Sequence, residues 1–252
     1  MEPSISGQRA ADPYPGTNRV DRDLSMAALS PRDHAAPRSA SYYTGVRYDV
    51  VSLLPKGLTS VLEVGCAAGG TGRLLRSLGA EQLIGIELDP ECAAMASEHY
   101  SEVFVGDAEL LDLRHLEGMG LDCIIYCDVL EHFRDPWDVL TRHMKFLRPG
   151  GYVAASIPNI RYYKAVRDLV FRDKWEYTDA GILDRGHLRF FTWRSIQDLF
   201  AKSGLSIEKL EYNRRGSFPL KLLNTILWNR LSPFLVKQYL ILARKQAAET
   251  RG

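Results

Sequence analysis

The 252-residue chain has almost no charge imbalance, with 32 lysines and arginines against 31 aspartates and glutamates and a formal net charge of +1. Without a cationic excess no broad field draws in a phosphate backbone, so nucleic acid is not an expected partner. Cysteine is scarce, and Cys66, Cys92, Cys123 and Cys127 lack the close pairing of a zinc ribbon. Reduced thiols serving as small hydrophobes, in a cytoplasmic protein, are the expectation. No apolar run follows a basic start, and no uncharged stretch reaches the roughly 18 residues of a spanning helix, so neither secretion nor a membrane span is expected. Residues 1–40 carry few large apolar side chains among Pro, Ser, Ala, Arg and Asp. Burial there is too small to offset the entropy of ordering, and a disordered tail is expected, as for residues 246–252.

What is present fits one α/β domain over residues 41–245, since a chain that is 46% hydrophobic can bury one substantial core. Its organising stretch is Val61-Leu-Glu-Val-Gly-Cys-Ala-Ala-Gly-Gly70. Val61, Leu62 and Val64 suit a central parallel strand, Gly65 to Gly70 form a turn almost without side chains, and Leu74, Leu75 and Leu78 restore helical spacing up to Gly79. Before it, Val50, Val51, Leu53 and Leu54 predict a helix ending at Pro55. Tyr42 and Tyr43 read equally as packing or as part of a ligand cleft.

Strands are then expected at 82–87, 103–107, 121–128 and 152–157, with helices opening at Asp89-Pro90 and Pro136 and a turn at Pro149-Gly-Gly151. The alternation of strand and helix predicts a doubly wound parallel sheet. From about residue 160 to 191 the rhythm breaks into interleaved aromatic and charged residues, placing an insertion over the carboxyl ends of the strands. Thr192 caps a further helix, Leu205 to Leu210 is a sixth strand, and Gln238 to Ala243 a last one. Pro219 opens an amphipathic helix with Leu220, Leu223, Ile226 and Leu227 on one face, read as core packing or as docking on a membrane or a partner.

In an open α/β sheet the ligand lies at the carboxyl ends of the strands, where Glu63, Glu87, Asp107 and Asp128 gather around the Gly65 turn. Clustered acids disfavour a polyphosphate. Glu87 is placed to accept from both ribose hydroxyls and Asp107 from an adenine amino group, while Asp128 and Glu63 could hold an ammonium directly or through the local backbone. That describes S-adenosylmethionine. A dinucleotide is the rival, because Gly65-x-Ala67-x-x-Gly70 with Glu87 about 20 residues on loosely fits the NAD fingerprint of an oxidoreductase.

Over about residues 41–245 the chain resembles the class I S-adenosylmethionine-dependent methyltransferases. The resemblance rests on Val61-Leu-Glu-Val-Gly-Cys-Ala-Ala-Gly69, Ile84-Gly-Ile-Glu-Leu-Asp89, Val105-Gly-Asp107, Asp128-Val-Leu-Glu-His132 and Leu147-Arg-Pro-Gly-Gly151. It implies a seven-stranded Rossmann-like sheet of order 3-2-1-4-5-7-6 with strand 7 antiparallel. It also implies cofactor contacts by Glu63, Gly65, Ala67, Gly69, Glu87, Asp107 and Asp128. Ala67 stands where the family has its middle glycine, and tolerance of that methyl is expected. Ser156-Ile-Pro-Asn159, Trp175 to Arg185 and His187-Leu-Arg-Phe-Phe-Thr192 resemble a branch found beside or fused to glycosyltransferases in polysaccharide clusters, where Gly186 is replaced by Thr. That favours a glycan or other small polar acceptor, and leaves a non-catalytic partner of a glycosyltransferase as the reading outside enzymology.

Methylating an alcohol needs alignment with the S–CH3 bond and removal of a proton. His187 in the insertion and His132 at the end of the Asp128 motif are the candidate bases, each with packing or capping as the ordinary alternative. Arg185 and Arg189 either orient an acidic acceptor or pair with Asp179 and Asp184. Metal assistance by Asp128, Glu131 and His132 is conceivable, but their spacing is not a strong metal signal, and no metal is expected.

Overall fold

The structure, a computed structural model, describes residues 45–214 and 224–246. The expected tails up to residue 40 and from 247, together with Tyr42, Tyr43, Pro219, Leu220 and Leu223, lie outside them. Seven strands form one sheet: β1 (Ser60–Val64), β2 (Gln82–Glu87), β3 (Glu102–Val105), β4 (Leu121–Cys127), β5 (Leu147–Pro158), β6 (Leu205–Arg214) and β7 (Val236–Lys245). Their order is β3-β2-β1-β4-β5-β7-β6, with β7 antiparallel to both neighbours.

The apolar runs of the central strands are covered on both faces, and the pleat sends successive residues to opposite sides. Leu62, Ile124, Tyr126 and Val153 enter one core with Leu140 and Phe200. Val61, Cys123, Ile125 and Ala154 enter the other with Val50, Leu75 and Ala96. The helices are α1 (Tyr48–Val51), α2 (Gly70–Ser77), α3 (Pro90–Ala96), α4 (Pro136–His143), α5 (Tyr163–Arg172), α6 (Trp193–Lys202) and α7 (Ser232–Leu235). Asp89 caps α3 by accepting from Glu91 N and Cys92 N. Thr192 and Ser195 close a reciprocal capping box at α6.

Two local expectations change and a third narrows. Pro149-Gly-Gly151 is not a turn before β5 but part of it: the register jumps from Leu121 opposite Leu147 to Cys123 opposite Tyr152, so an irregularity absorbs the extra residues. The helix expected up to Pro55 is the four-residue α1. Of the two readings of the face bearing Ile226 and Leu227, core packing and docking, the exposure of both residues rules out core packing for them. No helix of the described residues is long and apolar enough to cross a membrane.

The insertion leaves and re-enters the sheet through a clasp. Asn159 and Phe191 bridge, Ile160 N donates to Phe191 O at 2.9 Å, and the fully buried Asn159 amide donates to Pro233 O and Val236 O. Within it α5 buries none of its residues.

Candidate active site

The turn after β1 is held by its neighbours. Gly65 N and Cys66 N both donate to Ile86 O, and Gly65, Ala67 and Gly69 all have positive φ, of 76°, 47° and 83°. Glycine is needed at the first and last. A β-carbon on Gly65 would meet Val129 Cγ2 at 2.6 Å, and one on Gly69 would meet Ala96 Cα at 2.9 Å. Ala67 accepts the left-handed conformation that the family's glycine would adopt freely. Its N–H donates to Glu87 Oε2 at 2.8 Å, while Glu87 Oε1 accepts from Leu88 N at 2.8 Å and Asp89 N at 3.0 Å. The carboxylate thereby ties the end of β2 to the β1 turn.

Glu63 lies beneath this turn, 2% exposed, and accepts from the Tyr100 hydroxyl. Its side chain is turned into the protein, where Tyr100 and Thr71 are its hydrogen-bond partners. Burial pushes its carboxyl up to about 7, against the opposing pull of hydrogen bonds from Tyr100 and Thr71. With the folded value above the ordinary 4.5, the folded chain holds the extra proton between about pH 4.5 and 7, and this group's contribution to stability falls as pH rises through that window. Buried His143, whose imidazole is lowered to about 3 by desolvation, contributes the opposite slope between about pH 3 and its ordinary 6.5. Comparison with Glu63→Gln cancels the histidine. Urea unfolding at pH 4.5 and pH 8 is expected to show the variant gaining on the wild type by up to about 3 kcal/mol at the higher pH. A pH-independent difference would contradict the raised carboxyl.

Asp107 follows β3, and its Oδ1 accepts from Glu109 N at 3.0 Å. Asp128, at the end of β4, has a φ of 56° and a crowded carboxylate. Oδ2 pairs with Arg47 Nη1 at 2.7 Å, and Oδ1 accepts from Ser156 Oγ at 3.0 Å and from Gln238 Nε2. The sequence reading gave Asp128 to a ligand's ammonium and did not anticipate Arg47. The structure puts that guanidinium on Asp128, held also by Asp49.

Just past Asp128 the chain makes a 3-10 turn over Leu130–His132. The insertion is stitched to it: Glu131 O accepts from Leu188 N and Arg189 N, each at 2.9 Å, and Arg189 donates to Arg134 O. Arg189 is thus a strut of the loop, and Arg185 pairs with Asp179. His132 Nδ1 donates to Gly186 O at 2.8 Å, and His187 Nδ1 donates to Ile182 O at 2.9 Å. The two imidazoles meet edge to face with centroids 4.8 Å apart. His187 Nε2 lies 3.8 Å from Glu131 Oε1, with Glu131 1% and His187 8% exposed. A β-carbon at Gly186 would come within 3.1 Å of His132 Nδ1, so the glycine, where the resembling branch has Thr, lets this carbonyl approach the ring. Burial first, then the charge of Asp128, holds the Glu131 carboxyl well above the carboxylate range. The two predicted histidines therefore belong to one cluster with Glu131, which the sequence grouped with His132 and Asp128 but not with His187.

The structure thus brings Glu87, the β1 turn, Asp128 and the clasped insertion to one edge of a sheet whose strand order is that of methyltransferases. Residues 20–210 match the family model described as a methyltransferase domain, and the chain belongs to that family. Family and fold together imply S-adenosylmethionine as methyl donor. Among curated relatives, a ubiquinone biosynthesis O-methyltransferase of Cereibacter sphaeroides is 27% identical over 62% of this chain and 64% of its own. An uncharacterised 37.1 kDa protein in a transposon of Streptomyces fradiae is 29% identical over 57% of this chain and 47% of its own. The chain thus spans about half to two thirds of the length of these relatives. A solved S-adenosylmethionine-dependent methyltransferase of Archaeoglobus fulgidus shares the fold at a TM-score of 0.58 and 19% identity, over 81% of this chain and 97% of that one.

Proposed function

We propose that the chain transfers a methyl group from S-adenosylmethionine to a hydroxyl of a small polar acceptor, a sugar being the class its insertion fits best. The observation that carries this reading is the stitching of a histidine-bearing, aromatic insertion to the turn that follows Asp128, beside the Glu87-anchored β1 turn. The residues fit the donor. Gly65, Ala67 and Gly69 offer backbone with little side chain, Glu87 and Asp107 offer carboxylate acceptors for ribose and an adenine amino group, and acids gathered around the turn disfavour a dinucleotide's phosphates. Asp128 stands beside this set with its carboxylate held by Arg47, Ser156 and Gln238.

The sulfonium supplies an electrophilic methyl, and everything else falls to this chain. Trp175 and Tyr177, both partly exposed, lean on Phe190 at centroid distances of 5.4 and 6.5 Å and offer aromatic faces to a ring-shaped acceptor. With Nδ1 of His132 and His187 donating to carbonyls, Nε2 carries the ring lone pair of each, beside the acceptor side of the site. O-methylation agrees with the activity that the Cereibacter relative's name gives. A cytoplasmic setting agrees with four free cysteines. Association with a glycosyltransferase or a membrane surface would fall to α5, which exposes Leu169, Val170 and Phe171.

Titration calorimetry is expected to show binding of S-adenosylhomocysteine and none of NADH. Incubation with methyl-labelled cofactor and a panel of nucleotide sugars, polyols and phenols is then expected to label an oxygen acceptor. NADH binding without the sulfur ligand would sink the reading, and cofactor binding without label transfer to any of the panel would favour a non-catalytic module.

A further inference from the structure

The cluster beside Asp128 has the makings of a metal site. One ligand atom each from Glu131, His132 and His187 lies within 4.8 Å of the others. Both imidazoles are oriented in the way metal-bound histidines are, with Nδ1–H on a backbone carbonyl, which fixes the tautomer and makes Nε2 the electron-pair donor. A second observation points to a ligand independently. Glu131 Oε2 is fully buried and has no hydrogen-bond partner among the described residues, although its side chain is 1% exposed. A buried carboxylate oxygen left without a partner costs about 1–3 kcal/mol or more, and a cation bound there removes that cost.

We propose that Glu131, His132 and His187 bind a divalent transition-metal ion with open coordination positions that receive the acceptor's oxygen. Two imidazole nitrogens and one carboxylate oxygen suit manganese, iron, cobalt or zinc better than the all-oxygen preference of magnesium or calcium. His132 is only partly buried, so the cluster is reachable from solvent. The ligands come from two elements, the turn after β4 and the insertion, and the insertion's hydrogen bonds to Glu131 O and from His132 Nδ1 hold them together without the ion.

The chemical consequence rests on the methyl-transfer reading; the binding does not. An alcohol on the ion loses its proton to solvent more readily, its oxygen forms the bond to the methyl carbon, and the S–C bond breaks with its electron pair left on sulfur. The products are the methyl ether, S-adenosylhomocysteine and one proton. His132 and His187 then act as ligands that position the oxygen, and no side chain need be the base.

The test uses the full-length protein, stripped with chelator and titrated with Mn2+. Electron paramagnetic resonance of free Mn2+ is expected to show one saturable site per chain, and pulsed measurements on the wild type to detect two imidazole nitrogens on the ion. His132→Ala, His187→Ala and Glu131→Gln are each expected to weaken Mn2+ binding at least about 10-fold while leaving S-adenosylhomocysteine affinity within about 3-fold, which also certifies their folding. Absence of a saturable site, or bound Mn2+ without imidazole coupling, overturns the proposal without needing any variant. Failure of the wild type to bind S-adenosylhomocysteine while the metal site persists would instead strike the methyl-transfer reading alone.

Discussion

Glu87→Ala is expected to weaken S-adenosylhomocysteine binding by roughly 10- to 100-fold, from loss of one charge-assisted bond to a ribose hydroxyl at the site left on Oε2, at about 1.5–3 kcal/mol. The loss would come from two sources. The carboxylate is the ribose acceptor, and it is also the acceptor for Ala67 N, Leu88 N and Asp89 N, so its removal releases the β1 turn as well. Glu87→Gln separates the two only in part: both oxygens already accept N–H donors, and an amide in either orientation sets an N–H2 against a backbone N–H. The glutamine variant is therefore expected to fall close to the alanine one, and a near-wild-type affinity for it by calorimetry would contradict this hydrogen-bond pattern.

His187→Ala is expected to lower turnover by about 10²- to 10⁴-fold, the range for loss of a group that handles a transferring proton, with cofactor affinity nearly unchanged. Its ring touches the His132 ring and approaches Glu131, while the cofactor is assigned to Glu87, Asp107 and the β1 turn. Parallel loss of cofactor binding and turnover would make His187 a structural residue. Unchanged turnover would remove it from the chemistry whether as base or as metal ligand.

Most of the sheet was legible because its strands are short apolar runs punctuated by glycine and proline, and β2 falls on the residues that its pattern marks. The failures have physical causes. Pro149-Gly-Gly151 carries turn residues, yet an extended strand with a local irregularity satisfies them equally well, and only pairing with β4 decides. Helix α5 escaped because none of its residues is fully buried, and its partly buried side, Tyr163, Ala165 and Val166, is short and interleaved with charged residues. At the site, acids at strand ends could be counted from the sequence, but their partners could not. Arg47 reaches Asp128 across 81 residues and Tyr100 reaches Glu63 across 37, separations that no local spacing encodes. Glu131 was visible beside His132, but its burial and the approach of His187 depend on where the insertion folds back.

The placement of β7 between β5 and β6 sets an order of events during synthesis. Among the described residues β6 pairs with β7 alone, and β5 meets β7 along a ladder running from Tyr152–Arg244 to Pro158–Gln238. Until residues 236–245 leave the ribosome, one flank of β5 and the whole of β6 are unpaired edges, competent to pair with another nascent chain. The insertion's clasp waits as well, because Asn159 N donates to Lys237 O and its amide to Val236 O. A ribosome that stalls before β7 would release a chain whose nucleotide-side half is folded and whose acceptor-side half is adhesive, so chaperone dependence in this protein is expected to track the last strand.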